Sequence, residues 1–435
     1  MPDTQTVRSD GIYHGLPVLD HGHQGLRAIV VGASGMSGQT MIDVLIQNPQ
    51  RWERVYAMSR RAPQISTQAS GTTNVDHVPM DLLKEPSEMA TLLTEHGVKA
   101  DVVFFFGYVQ LSLEERKYSS GNSDAAKKLA EINGLILQNF LAALDLATIT
   151  PKRILLQTGL KNYGVHQGPV NVPCDENDPR VELGPANFYY PQEDILLEHC
   201  RSHPGTSYNV TMPSWILGAV KASDMTTFYP LAVYAAVQRH LGKPLAFPGD
   251  TAAWEKIMPM SSGVLNSLFH EWLVLEEATA GETFNIVDDS EFTWLKAWPV
   301  VAGWFGMDWS PPAEEDEGKY EVVEMPLRPR GYGPKGRCRS TFSLTEWAKR
   351  PQTHKAWSEL KQEHQLESDP FAGADGMFHS LTFSLTMSWS WATRMDKARK
   401  FGWHGHVDTL ESMRDVFDKF VAFKMIPPIL NASEV

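Results

Sequence analysis

Cysteine is scarce in this sequence, with three residues in 435. Cys174, Cys200 and Cys338 are far apart and have none of the spacings that zinc sites and disulfide frameworks require. Chains that depend on disulfides are usually short, secreted and rich in cysteine. The scarcity therefore excludes a disulfide scaffold and a cysteine-based zinc site, and it is typical of proteins in a reducing compartment.

Positive charge and long apolar runs are also in short supply. The chain carries 39 lysines and arginines against 52 aspartates and glutamates, a net charge of −13, and it has no basic run, so we expect no nucleic-acid partner. Charged residues or prolines interrupt the apolar stretches before the ~20 residues that a membrane span needs. The first residues lack the apolar core of a secretory signal. We expect no membrane insertion and a cytoplasmic protein.

Residues 1–25 are polar and contain the histidines His14, His21 and His23. Metal sites usually combine histidine with cysteine or carboxylate ligands in one cluster, and no such cluster accompanies these three. We therefore expect a loose N-terminal arm, and we expect no metal site in the protein.

A glycine-rich turn follows an apolar stretch. Residues 29–31 are apolar, Gly32, Gly35 and Gly38 follow at three-residue spacing, and a helical pattern then begins at Met41. This arrangement is typical of a strand, a tight turn and a helix N-terminus that bind the diphosphate of a dinucleotide. Gly32 would permit the turn, Gly35 would let the backbone approach the phosphates, and Gly38 would let the helix pack closely on the strand. The helix N-terminus would supply unpaired N–H groups.

The predicted second strand, residues 55–59, ends in Ser59-Arg60-Arg61. A protein that binds NAD usually has an aspartate or glutamate at this point, where the carboxylate bonds the ribose hydroxyls. Two arginines suit a 2′-phosphate instead and would not replace that carboxylate. The sequence therefore favours NADP(H) over NAD(H).

Strands and helices continue to alternate as far as residue 215. The further predicted strands lie at 75–80, 101–107, 153–159 and 208–212, and a helix is predicted at 123–146. Asp81 and Leu82 follow the first of these strands, Tyr108 follows the second, and Pro213 follows the last. Asn133 is on the helix. Asp81 either reaches the adenine amine or caps the next helix. Asn133 lies on the sheet-facing side of its helix and is interpreted as a buried polar anchor.

This alternation predicts an α/β fold, with a Rossmann doubly wound parallel sheet and a smaller, mainly helical C-terminal region. We expect an N-terminal arm at 1–25, a Rossmann domain at 26–215 with a returning strand at 281–290, and a substrate-binding region at 216–280 and 291–435.

One element of ordinary short-chain dehydrogenases is missing. Those enzymes place tyrosine and lysine four residues apart on one helix, where the tyrosine exchanges a proton and the lysine lowers the tyrosine pKa. No tyrosine here has a lysine four positions later. Lys161 stands just past the fifth predicted strand, where active-site residues of an open α/β sheet gather. From the residues alone, Lys161 is either an active-site group or an ordinary surface lysine.

Seven short segments share a pattern with a known family. They are residues 32–38 (GASGMSG), 59–61 (SRR), 157–163 (QTGLKNY), 187–194 (NFYYPQED), 252–254 (AAW), 284–286 (FNI) and 423–427 (FKMIP). Together they resemble the progesterone 5β-reductase/iridoid synthase-like family of atypical extended short-chain dehydrogenases, over most of the chain. That family lacks the usual tyrosine-to-lysine spacing. The resemblance implies NADPH-dependent 1,4-reduction of α,β-unsaturated carbonyl compounds (enones) in secondary metabolism, a small apolar carbonyl substrate and a homodimer.

The resemblance also implies roles for individual residues. The catalytic tyrosine of the family falls on Tyr189, which would stabilise the enolate oxygen, and its lysine falls on Lys161, which would make the phenol more acidic. The neighbouring Tyr190 is interpreted as a buried ring against the sheet. The expected cofactor-binding residues are Gly32, Ser34, Gly35, Met36, Gly38, Ser59, Arg60, Arg61, Asp81, Leu82, Gly107, Tyr108 and Pro213.

The sequence departs from the family at Asn162, where plant members usually carry histidine, and at 313–385, which is longer and should cover the substrate pocket. Aromatic candidates for that pocket, most of which would belong to the core on general grounds, are Phe105, Tyr108, Trp215, Phe228, Trp254 and Phe378. A ketoreductase, a redox-neutral cyclase or isomerase, and a non-catalytic NADP-binding sensor stay open as alternatives. The presence of both Lys161 and Tyr189 argues against the sensor.

Overall fold

A computed structural model describes residues 6–20, 22–64, 74–110, 123–221, 228–313, 317–372 and 374–430. His21, one of the N-terminal histidines, lies outside the described residues. The strands are β1 (Val7–Asp10), β2 (Tyr13–Pro17), β3 (Leu26–Val31), β4 (Trp52–Ser59), β5 (Val75–Pro79), β6 (Val102–Phe105), β7 (Arg153–Gln157), β8 (Ser207–Pro213), β9 (Trp215–Leu217), β10 (Leu245–Ala246), β11 (Met260–Ser262), β12 (Glu282–Ile286), β13 (Trp309–Ser310), β14 (Glu321–Glu324) and β15 (Arg337–Ser340). The helices are α1 (Met36–Leu45), α2 (Pro86–Glu95), α3 (Ser123–Leu146), α4 (Tyr189–Ser202), α5 (Phe228–His240), α6 (Thr251–Glu255), α7 (Gly263–Leu275), α8 (Trp294–Trp304), α9 (Leu344–Ala348), α10 (Pro351–His364), α11 (Ala374–Thr386), α12 (Asp396–Lys400) and α13 (Thr409–Ala422).

Seven parallel strands form the central sheet, in the order β12-β8-β7-β6-β3-β4-β5. The chain begins in the middle at β3, moves outward to β5, and then returns past β3 to β6, β7 and β8. The reversal between β3 and β6 leaves a crevice at the carboxyl ends of the strands, where ligands bind in such sheets. The doubly wound α/β fold is confirmed, and β12 is the predicted returning strand.

Alternate residues of the strands face two helical layers. In β3, Ala28 and Val30 pack in the core on the side of α1 and α7, whereas Ile29 and Val31 pack in the core on the side of α2, α3 and α4. All four residues of β6 are buried, as expected for a parallel strand that is covered on both faces. With both faces covered, the carboxyl ends of the strands remain as the place for a ligand.

The N-terminal segment is not the loose arm that we expected. β1 and β2 form an antiparallel hairpin, and Leu16 at its end is 1% exposed. His14 exchanges backbone hydrogen bonds of 3.0 and 2.9 Å with His406. The Tyr13 hydroxyl lies 3.4 Å from the Ser262 hydroxyl. The expectation was wrong because these partners come from far along the chain.

The region after residue 215 is mainly helical, as predicted, and has an aromatic-rich core of its own. Trp294 and Trp298 are fully buried there, with their rings edge to face at 5.7 Å between centroids. Three small sheets, β9 with β11, β10 with β13, and β14 with β15, connect the helices. The boundaries proposed for the substrate-binding region stay a prediction.

Helix α3 meets the length and composition criteria for a membrane-spanning helix, which the sequence analysis did not foresee. Half of its most apolar window is buried inside the protein. Phe140 and Leu144 are among the side chains that it packs against the sheet. Core helices of globular folds meet the same criteria, and this packing identifies α3 as one of them.

Candidate active site

The glycine turn has the geometry that its sequence predicts. Gly32 has φ of +81°, a conformation that favours glycine. An ideal Cβ on Gly38 would lie 2.3 Å from the Gly32 carbonyl oxygen, whereas one on the exposed Gly35 would meet a single atom, that same oxygen, within 4 Å at 3.2 Å. Gly38 therefore lets α1 approach the turn, and Gly35 leaves the outer side of the turn open.

The N-terminus of α1 suits an anion. Its N-cap is Gly35, whose side chain cannot cap the helix, and the first turn carries no acidic residue. The first N–H groups of a helix have no partner within the helix and attract negative charge. Ser34 and Met36 flank this position, and the Met36 side chain lies against Gly218. The residues present therefore fit the diphosphate of a dinucleotide.

Replacing Gly38 by alanine should disrupt this turn. Because the new methyl group would overlap the Gly32 carbonyl, the helix or the turn must shift, at a cost of about 1–3 kcal/mol in the free energy of unfolding. We expect a lower melting temperature and roughly tenfold weaker cofactor binding, measured by thermal unfolding and fluorescence titration. Gly205→Ala is the matched control because nothing lies within 4 Å of its added Cβ. Equal behaviour of the two variants would contradict this role of Gly38.

The end of β4 presents both arginines to solvent. The Ser59 hydroxyl donates a 2.6 Å hydrogen bond to the Arg61 carbonyl, which fixes the chain direction after the strand. The side chains of Arg60 and Arg61 are exposed. They lie next to β3 in the sheet, since β4 pairs with β3 as far as Met58. The arginines are therefore free to meet a phosphate near the glycine turn.

Asp81 does not cap the following helix, so that alternative is wrong. Its carboxylate accepts a 3.1 Å hydrogen bond from the Leu83 N–H, and the N-cap of α2 is Glu85. Leu82 borders Gly107 at the end of β6, where an added Cβ would come within 2.8 Å of the Leu82 Cδ1. The structure thus brings the loop after β5 beside the loop after β6.

Asn133 holds the chain after β6, as the anchor interpretation predicted. It is fully buried, its carbonyl oxygen accepts from the Val109 N–H at 2.9 Å, and its amide donates to the Val109 carbonyl at 2.9 Å. Tyr108 precedes Val109 in the chain, and its ring stacks on that of Phe188 with 5.6 Å between the ring centroids. Phe188 in turn contacts Tyr189 at 4.4 Å.

Lys161 and Tyr189 lie on separate segments that are tied together. Lys161 is in a 3-10 helix, Leu160–Tyr163, directly after β7, and Tyr189 begins α4. The Asn187 amide donates to the Lys161 carbonyl at 3.0 Å, and the Asn187 side-chain oxygen accepts from the Tyr189 N–H at 3.2 Å. One side chain therefore sets the distance between the two backbones. This role of Asn187 was not predicted from the sequence, although the residue lies in the segment 187–194 that resembles the family.

Tyr190 has a structural role different from the one we predicted. Its ring is half-buried under the Arg180 guanidinium, 5.0 Å from the ring centroid, and does not lie buried against the sheet. The hydroxyl donates to the Asn162 carbonyl at 2.6 Å and accepts from the Val181 N–H at 2.8 Å. Tyr190 therefore holds the 3-10 helix against the following loop, and its hydroxyl is already engaged.

The Tyr189 hydroxyl faces the end of β7. It would lie 3.0 Å from an ideal Cβ on Gly159, and the Pro213 carbonyl is 3.3 Å from the same point. Burial raises the pKa of the Tyr189 phenol above its usual value. The phenol is therefore protonated at neutral pH and suited to donate a hydrogen bond rather than to remove a proton.

The charge of Lys161 acts on His166, a residue that was not among the predicted site residues. Burial, and after it the Lys161 charge, lowers the pKa of His166 to about 3. His166 is therefore a neutral imidazole beside the Lys161 turn. Burial is the cause of the Tyr189 shift, so the structure lends no support to the expectation that Lys161 makes this phenol more acidic.

The loop after Lys161 is covered by the longer C-terminal segment. Gly164 would meet Pro329 at 3.0 Å if it carried a Cβ, and the Trp389 indole N–H donates to the Val165 carbonyl at 2.9 Å. Part of the region 313–385 thus packs on the candidate site.

Four of the six aromatic candidates belong to the core. Phe105, Phe228, Trp254 and Phe378 are between 0% and 4% exposed. Tyr108 and Trp215 are more accessible and remain candidates for the pocket.

A cavity of about 200 Å³ lies between the 3-10 helix, α4 and the strands β8 and β12. Its lining includes Glu176, Asp178, Arg180 and Glu193. Charged walls do not suit an apolar carbonyl compound, so this cavity is not the predicted substrate pocket.

Comparison with known proteins identifies relatives along nearly the whole chain. Residues 28–329 match the PRISE-like Rossmann-fold domain family. A short chain dehydrogenase of Penicillium aethiopicum is 29% identical over 92% of this chain and 99% of its own length. A 3-oxo-Δ4,5-steroid 5β-reductase of Arabidopsis thaliana and an (S)-8-oxocitronellyl enol synthase of Camptotheca acuminata are each 27% identical, over 92% of this chain and 93% of theirs.

Solved structures show the same fold. The crystal structure of the Bordetella bronchiseptica enzyme WbmG in complex with NAD and UDP aligns with a TM-score of 0.54 and 13% identity, over 92% of this chain and 96% of that one. The Rossmann sheet and the helical region after it therefore occur together in other extended α/β proteins.

Proposed function

Because this chain belongs to the PRISE-like Rossmann-fold family, we propose that it is an NADPH-dependent reductase of α,β-unsaturated carbonyl compounds. The family assignment confirms the resemblance seen in the sequence. The chain is an NAD(P)-dependent oxidoreductase with the extended short-chain dehydrogenase fold and binds a nicotinamide cofactor. The Arabidopsis relative is a 3-oxo-Δ4,5-steroid 5β-reductase, and this activity supports enone reduction here.

The residues at the carboxyl edge of the sheet support the choice of cofactor. The first N–H groups of α1 would hold the diphosphate. Arg60 and Arg61 would hold a 2′-phosphate, since the end of β4 carries no carboxylate that could bond a free ribose hydroxyl. When bound, the reduced nicotinamide supplies a hydride.

The single observation that carries the proposal is the position of the Tyr189 hydroxyl at the carboxyl end of β7, beside Gly159 and the Pro213 carbonyl. Addition of hydride to the β-carbon of an enone moves negative charge onto the carbonyl oxygen. A donor aimed at the place where charge develops stabilises the transition state by about 3–4 kcal/mol. The Tyr189 hydroxyl is such a donor, and its raised pKa keeps the proton on the phenol. The α-carbon then takes a proton from solvent.

Lys161 has a positioning role in this proposal. Its segment is bonded to that of Tyr189 through Asn187, and its ammonium charge acts on the neighbouring His166. A positive field favours an enolate over a neutral ketone, whether or not the lysine touches the phenol. The proposed catalytic group is therefore Tyr189, with Lys161 assisting.

A panel of small and bulky enones, incubated with NADPH, tests the proposal. We expect loss of NADPH absorbance together with a product two mass units heavier, identified as the saturated ketone. An allylic alcohol would instead identify a ketoreductase. A rearranged product without NADPH consumption would identify a cyclase or isomerase. Either of these outcomes, or the absence of any product across the panel, would overturn enone reduction.

A further inference from the structure

Two histidines and an aspartate meet at the far end of the helix that carries Tyr189. His199 is in the last turns of α4, His203 follows its end, and Asp145 is near the end of α3. One ring nitrogen of each histidine and a carboxylate oxygen all lie within 4.8 Å of one another. Helix geometry puts this cluster roughly 15 Å along α4 from Tyr189, so it is separate from the candidate active site.

Hydrogen bonding fixes which nitrogen of His203 faces the cluster. The His203 Nδ1 lies 2.8 Å from the His199 carbonyl oxygen, which accepts only, so Nδ1 carries a hydrogen. The other nitrogen, Nε2, lies 3.1 Å from an Asp145 oxygen. In a neutral imidazole with hydrogen on Nδ1, Nε2 has a lone pair. With that tautomer, Nε2 and the Asp145 oxygen can bind the same cation.

The three side chains lie close to one another. The His203 Nε2 and the His199 Nδ1 are 3.1 and 3.9 Å from the two oxygens of the Asp145 carboxylate. The two imidazole rings stack with centroids 4.1 Å apart, and the His199 side chain is 9% exposed. One divalent cation would serve all three groups.

We propose that Asp145, His199 and His203 form a binding site for a divalent transition-metal ion, with Zn²⁺ as the expected occupant. Two imidazoles and a carboxylate are ligands that Zn²⁺ accepts, and oxygen-only cations such as Mg²⁺ are disfavoured. A backbone carbonyl already orients His203, as outer-shell partners do in known zinc sites. Zinc-to-nitrogen bonds of about 2.0–2.1 Å need the ligands roughly 3.3 Å apart in a tetrahedron, so the three side chains would move closer together on binding than the 4.8 Å they now span.

The site would join the C-terminal ends of α3 and α4. Three protein ligands leave a fourth position for water or another ligand, since zinc prefers four. Because the ligands come from two helices, metal binding favours the folded state and should raise the melting temperature. The site is separate from Tyr189, so it does not depend on the proposed reductase activity.

Zinc titration of the full-length chain tests the site. Chelator-treated protein without a histidine tag is titrated with Zn²⁺ by calorimetry, and with Co²⁺ by visible absorption, which reports nitrogen coordination. We expect one equivalent per chain and a higher melting temperature. Loss of an outer-shell partner typically weakens metal binding roughly 10- to 100-fold. The His199→Ala/His203→Ala double variant removes two direct ligands, so its zinc affinity should fall by more than that.

His96→Ala is the matched control, since His96 is an exposed histidine at the end of α2, and it should bind zinc like the parent. Asp145→Asn keeps the side-chain shape at an exposed position and should bind zinc about tenfold more weakly than the parent. This variant tests the site if the double variant fails to fold. The proposal would be overturned if the parent protein bound no zinc. It would also be overturned if the parent and a folded variant lacking one or more of these ligands bound zinc equally well. The three side chains would then be only a hydrogen-bonded histidine–aspartate cluster.

Discussion

Tyr189→Phe should lower kcat for enone reduction about 100- to 1000-fold, the cost of removing one donor to a developing oxyanion. The substitution removes only the hydroxyl beside Gly159, so KM should change little. Stopped-flow or steady-state loss of NADPH absorbance, on an enone that the parent accepts, measures the effect. Because burial raises the pKa of this phenol, the parent rate should not fall through loss of this proton between about pH 6 and pH 9.

Two other tyrosines serve as controls for this result. Tyr208→Phe removes a phenol hydroxyl at the amino-terminal end of β8, away from the site, and should keep the parental rate. Tyr190→Phe loses the bonds to Asn162 and Val181 and should cause a smaller loss than Tyr189→Phe. If Tyr190→Phe were the more severe variant, the catalytic assignment would move to Tyr190, and full activity of Tyr189→Phe would exclude Tyr189 altogether.

The double variant Arg60→Ala/Arg61→Ala should weaken the preference for NADPH over NADH. Hydrogen bonds to charged groups are worth about 1.5–3 kcal/mol each, so the loss of even one such bond to a 2′-phosphate should lower kcat/KM for NADPH by about 10- to 100-fold. The same parameter for NADH should change little, because NADH has no 2′-phosphate. Both side chains are exposed, so the fold should tolerate the change. Initial rates with each cofactor at saturating enone give the ratio.

Arg54→Ala is the matched control, because Arg54 is an exposed arginine on the same strand whose partner is Asp76 at 3.2 Å. It should leave the NADPH-to-NADH ratio unchanged. An unchanged ratio in the Arg60/Arg61 variant, or a parent that uses both cofactors equally, would refute the arginine interpretation.

The parts of the structure that local pattern specifies were predicted correctly. The turn from Gly32 to Gly38 combines a positive φ, a close helix–strand approach and an apolar strand, each of which leaves a signal within ten residues. The alternation of strands and helices then limits the sheet to a doubly wound order. Cytoplasmic location and a homodimer, by contrast, stay predictions.

The parts that depend on distant partners were not predictable in this way. Tyr13 meets Ser262, 249 residues later, so its segment looked like an arm. Tyr190 was interpreted as a ring against the sheet. Its hydroxyl partners, Asn162 in the 3-10 helix and Val181 in the following loop, are 28 and 9 residues away and leave no local signal. The spacing of His199 and His203, one helical turn apart, was visible in the sequence, but Asp145 belongs to another helix and only the fold brings it close.

The N-terminal hairpin also constrains how the chain reaches its final form during synthesis. The paired backbone bonds between His14 and His406 cannot form until the ribosome has released the second histidine. At about 5–20 residues per second, translation of the intervening chain takes on the order of 20–80 seconds. During that interval Leu16 and Tyr13 lack at least part of their final cover, so this segment docks only after its partners have been made.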